Sequence, residues 1–147
     1  MESDRLMEQY KLYVNTAEKV SEKRQNANTY FLSLNSFLFL FSGYLTTIKF
    51  DIWHMLVMMA GVFICIFWLI ILKSYRSLNT AKYGVVHQME KGLPVKLFDD
   101  EWNLLDRGEN KKKYFKLSVV EQGVPMIFMG LYFILIAIRF LDILGII

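Results

Sequence analysis

The chain has 147 residues, 54% of them hydrophobic and 16% aromatic, yet it also carries 17 basic and 14 acidic side chains. Soluble domains intersperse their charges through a sequence about 45–50% apolar; here the charges stand in blocks between long uncharged runs, which marks an integral membrane protein. A net charge of +3 is too small to imply a nucleic-acid polymer as partner, and the single cysteine, Cys65, excludes an intrachain disulfide.

In chain order, residues 1–27 predict an N-terminal cytoplasmic amphipathic helix, because Met7, Tyr10, Val14 and Ala17 recur at helical spacing. No apolar stretch with a cleavage site stands in the first 24 residues, so the first span is expected to act as an uncleaved anchor. Transmembrane helix 1 follows at 28–50. Residues 25–48 are uncharged, and 31–48 extend about 27 Å as a helix, close to the hydrocarbon thickness. Within it Ser33, Asn35, Ser36, Ser42 and Gly43 are small or polar, and such side chains let membrane helices approach and hydrogen-bond; Ser33, Asn35, Ser36 and Gly43 are candidates for oligomer packing.

Lys49, Phe50 and Asp51 form a tight hairpin into transmembrane helix 2 at 51–73, whose run 52–72 holds no Asp, Glu, Lys or Arg. A cytoplasmic helical segment then occupies 74–121. No Pro or Gly interrupts it before Gly84, so helix 2 is expected to continue to about Lys91, with Leu78, Val85 and Met89 on one side and Arg76, Asn79, Tyr83 and Glu90 on another. A short helix follows the Gly92-Leu93-Pro94 cluster, with Asp99 as its cap, Trp102 and Leu105 facing inward and Gly108 as its breaker. Lys111, Lys112 and Lys113 open an interfacial helix carrying Tyr114, Phe115 and Leu117. Transmembrane helix 3 takes 122–147, with Pro125 in its first turn, where the missing N–H costs little. Arg139 and Asp142 share one face near its end and are placed to pair.

The predicted fold is therefore an all-α membrane protein of three transmembrane helices, with helical cytoplasmic parts before the first span and between the second and third. Five Lys and Arg precede the first span and ten separate the second from the third, against Lys49 and Arg139 on the other side. That imbalance puts the N-terminus in the cytoplasm and the C-terminus in the periplasm.

No catalytic set is legible, so no enzyme, metal site or cofactor is expected. His54 and His87 lie about 50 Å apart on one helix at 1.5 Å per residue and cannot share a metal. Arg76, Lys82, Lys111, Lys112, Lys113 and Lys116 are candidates for anion or lipid-headgroup binding, the lysine run chiefly as positive-inside anchoring. Asn79, Trp102 and Glu121 join the packing candidates.

The string SYRSLNTAKYGVVHQMEKGLP, followed by FDDEWNLL and VVEQGVPMIF, resembles the pattern of the RipA family of small octameric bacterial inner-membrane proteins, over roughly residues 68–132. The resemblance implies a homo-octamer in the inner membrane with a cytoplasmic collar built from the segment between the last two spans. Membrane lipids and a cytoplasmic protein are the expected partners, and the expected function is a non-enzymatic scaffold or envelope and host-adaptation factor. A ligand-gated pore or membrane-disrupting effector, in antiviral defence for example, that senses an anionic ligand through the collar is the alternative.

Overall fold

The computed structural model describes residues 2–47, 51–110 and 117–145. Among these every regular element is helical: α1 (Glu2–Thr47), α2 (Asp51–Glu90), α3 (Leu97–Leu104) and α4 (Leu117–Ile143), with one 3-10 turn at Asp106–Gly108. α2 ends one residue before the expected Lys91, at the turn closed by Gly92 N–H on Met89 O and Leu93 N–H on Glu90 O. Two helical stretches, Ile52–Glu90 and Val119–Ile143, are long and apolar enough to cross a membrane. Over its described residues, which end at Thr47, α1 is not one of them. The lysine run Lys111, Lys112, Lys113 and Lys116 lies outside the described residues.

The chain divides into two compact units. The first comprises Met1–Gln25 and Lys73–Ser118, the second Asn26–Leu72 and Val119–Ile147.

In the first unit the amino-terminal half of α1 packs on the carboxy-terminal half of α2, with Ala17 and Val86 fully buried. Polar links pin the pair. Ser21 Oγ donates to Asn79 Oδ1 at 3.3 Å, and Lys82 Nζ donates to Thr16 Oγ1 at 3.2 Å while standing 4.8 Å over the Tyr13 ring. Asp99 is not the cap of α3. Lys96 occupies the N-cap without a side-chain bond, and the acceptor for the first turn comes from Glu90 instead. Nor does α3 reach Gly108: it ends at Leu104, and Asp106 and Arg107 turn the chain with φ of 51°.

The second unit is built on neutral polar contacts inside an apolar core. Asn35 on α1 is fully buried: its Nδ2 donates to Phe31 O at 2.9 Å, its Oδ1 accepts from the Cys65 thiol of α2 at 3.2 Å, and its backbone oxygen accepts from Tyr132 OH of α4 at 3.2 Å. Met58, Val62, Cys65 and Tyr132 form the buried cluster around this junction. Trp68, also fully buried, donates its indole N–H to Asn28 Oδ1 at 3.0 Å and stacks on Phe31 with centroids 5.9 Å apart. His54 Nε2 lies 3.0 Å from Ser42 Oγ. Gly61 allows close approach of α4, since a Cβ there would overlap the Tyr132 ring.

Pro125 does not sit in the first turn of its helix. α4 starts at Leu117, which puts Pro125 in the interior, where it is fully buried and contributes no N–H of its own to the helix. Near the other end Arg139 pairs with Asp142, as their spacing predicts.

Candidate functional site

The most developed site is in the first unit, where a buried carboxylate organises an aromatic groove. Glu90 is the last residue of α2 and has no exposure. An ionised carboxylate is costly to bury unless hydrogen bonds replace its water. Glu90 Oε1 accepts from Tyr10 OH and from the Phe98 backbone N–H, both at 2.9 Å, and Oε2 accepts from the Asp99 N–H at 3.2 Å. Two of these donors belong to the first turn of α3, whose N–H groups have no partner within the helix and whose dipole favours a negative charge. One side chain thus joins α1, α2 and α3.

Tyr10 responds to the same contact. Burial, the hydrogen bond to Glu90 and the negative charge of Glu90 together push its phenol up to about 12, so it stays a donor. His87 Nδ1 stands 3.6 Å from Glu90 Oε2, outside hydrogen-bond reach.

With α3 held in this way, its inward face and α2 enclose a half-open groove of about 650 Å³. Tyr83 and Phe98 meet there edge to face, centroids 5.7 Å apart and planes at 67°, and Trp102 and Leu105 complete an apolar wall. Asn79, His87 and Glu101 supply polar groups. Burial raises the Tyr83 phenol above its ordinary range; Glu18 and then Glu101 add to the effect, and Arg24 opposes it. This mixture of aromatic surface and a few directed polar groups is the usual lining of a binding site.

Of the packing candidates, Asn79 and Trp102 line this groove, and Asn35 is the hub of the second unit. Ser36 is half-buried, whereas Ser33 and Gly43 are exposed, with open space beside Gly43. Glu121 is half-buried on α4. Among the anion candidates Arg76 is exposed, and Lys82 directs its amine to Thr16 and Tyr13. Asp99 forms an ion pair with Arg107 at 3.3 Å.

Sequence reasoning missed Tyr10 as the partner of Glu90, and it missed Asn28. A signal for Asn28 exists. Ser21, Asn28, Asn35 and Ser42 recur every seven residues along α1, the period at which one helix keeps a single seam towards a partner. Each of the four bonds α2: Ser21 to Asn79 in the first unit, and Asn28, Asn35 and Ser42 to Trp68, Cys65 and His54 in the second.

A family model described as the octameric membrane protein family (8xMP) matches residues 7–141. The chain belongs to that family. The match takes in the groove, Glu90 and the Asn35 junction alike, and with the two apolar helices it places the protein in a membrane. The family is named for an assembly of eight chains. No curated protein and no solved structure matches the chain.

Proposed function

We propose that this protein is a non-enzymatic octameric scaffold of the bacterial inner membrane, with three spans per chain and a cytoplasmic collar whose aromatic groove receives a protein partner. The observation that carries the reading is the groove itself, preset by Glu90 and lined by Tyr83, Phe98 and Trp102. Three spans are supported by the company that α1 keeps. Its residues from Asn26 onward belong to the same compact unit as the two apolar helices, with Asn35 tied to both. The fifteen-to-two distribution of Lys and Arg supports a cytoplasmic collar and a periplasmic C-terminus. The narrower likeness to the RipA family rests on the motifs around Arg76, Asn79, Glu90, Trp102 and Pro125. Exposed Arg76 is then placed to meet anionic headgroups.

A photoreactive side chain at Trp102 tests the scaffold in cells. It is expected to yield one discrete adduct with another polypeptide, lost in Tyr83→Ala; a clean lane at normal expression refutes the docking role.

A ligand-gated pore is the second reading, favoured by the exposure of Ser33 and Gly43 on α1, which stand beside exposed Leu32, Phe37 and Leu40 of the same helix. Dye-loaded liposomes separate the two. Vesicles that stay sealed with and without added nucleotides favour the scaffold, and nucleotide-dependent leakage favours the pore.

A further inference from the structure

α2 beyond the apolar run buries polar groups on the side that meets α1 and α3, and it leaves two aliphatic side chains exposed on another. Glu90 is fully buried and Asn79, Lys82 and Tyr83 are half-buried against α1 and α3, while Leu78 and Val85 are 46% and 36% exposed. Around that pair the exposed surface is Ser74, Ser77, Ala81 and Gln88, with no charge on the face for four turns. Water-facing helices carry their charges outward, as α1 of the same unit does with Arg5, Glu8, Lys11, Glu18 and Lys19. An uncharged face with small residues and two exposed aliphatic side chains, outside the predicted spans, is suited to a protein neighbour.

We infer that this face of α2 is the docking surface for the outer face of α3 of the next copy in the ring. On α3, Leu97 and Leu104 are 64% and 76% exposed. They are seven residues apart, as Leu78 and Val85 are, so both pairs span about 10.5 Å and mesh over two turns. Exposed Asp100 flanks the leucines of α3, and exposed Lys73 and Lys91 bracket the strip on α2, so the charges at the margins are complementary. The two patches differ, which makes the contact head-to-tail, and such a contact closes a ring when the rotation between neighbours divides a full turn. A family named for eight-chain assembly supplies the copies, and Ala81 with Gly84 lets the neighbour approach closely. The inference rests on the cytoplasmic placement of the collar given above.

Cross-linking in membranes tests it, with the native chain as the blank because its one cysteine, Cys65, is fully buried. A short bismaleimide is expected to leave Val85→Cys and Leu104→Cys monomeric on denaturing gels, and to give the double variant a ladder reaching eight chains. Dimers from either single variant would make the contact symmetric and overturn the proposal. So would an absent ladder in a sample whose native mass is still eight chains, which leaves the octameric scaffold standing. A native mass of one chain overturns both. Ala81→Glu, at an exposed position, is expected to abolish the eight-chain species with unchanged helix content; an intact octamer counts against the interface.

Discussion

The two units are held together by opposite kinds of polarity. In the first, a full negative charge is buried at Glu90, and an ammonium at Lys82 is set against Thr16 and the Tyr13 ring. In the second, the buried hydrogen-bonding groups at the helix junctions are neutral: amide, thiol, phenol, indole, hydroxyl and imidazole. A charge at bilayer depth costs several kcal/mol, whereas a carboxylate on the water side is tolerated where helix-end N–H groups and a phenol replace its hydration. The same helix, α1, contributes to both units, and on the topology proposed above the environment it passes through decides which chemistry it uses. Arg139 and Asp142 fit the rule, since their charges are paired with each other near the end of α4.

Four substitutions break or sharpen that contrast. Glu90→Ala strands three donors in the first unit and is expected to cost about 3 kcal/mol or more. Limited proteolysis should then cut between residues 91 and 110 while the second unit stays protease-resistant in the membrane; simultaneous loss of both units would erase the distinction. Gly61→Val drives a side chain into the Tyr132 ring and should cost about 2 kcal/mol by overpacking, read as a lower melting temperature in detergent with the groove of the first unit unaltered.

Tyr10→Phe removes one charge-assisted bond, worth about 1.5 kcal/mol. It also carries a pH signature. The phenol is pushed up to about 12 from an ordinary 10, so its contribution is complete below pH 10 and is lost as pH rises through about 12. Native protein should lose stability across that window and Tyr10→Phe should not share the Tyr10 part of the loss; parallel curves would separate Tyr10 from Glu90. Asn35→Leu is the mildest change, about 1 kcal/mol, because single hydrogen bonds inside membranes are modest. Thermal unfolding in lipid reads it, and an effect as large as that of Glu90→Ala would contradict the neutral-contact account of the second unit.

Much of the architecture was legible in the residues. Uncharged runs of helical length set out the apolar parts of α2 and α4, and the gap between breakers carried α2 on to Glu90. Asn35 stood out because an amide in an apolar run needs a partner. The groove was less accessible. Trp102 was visible as a motif residue and Tyr83 as part of one face of α2, but their meeting depends on α3 folding back onto α2. That return is set by a capping acceptor from outside α3, and sequence spacing favoured Asp99 because local caps are commoner than remote ones. Pro125 misled for a similar reason. A proline marks a helix start where the N–H is free anyway, yet α4 reaches back to Leu117 and accommodates the ring inside a buried turn. The polar repeat of α1 was masked by the greater prominence of Ser33 and Ser36, which lie off its seam.

The central claim is that the unit holding Glu90 and the groove faces the cytoplasm while the chain ends on the other side after a third crossing. Paired reporters, a fluorescent protein and alkaline phosphatase, fused in turn after Gly108 and after Ile147 test it most directly. The account predicts fluorescence without phosphatase activity at Gly108 and phosphatase activity without fluorescence at Ile147. The same reporter active at both positions means an even number of crossings between them, and would contradict it.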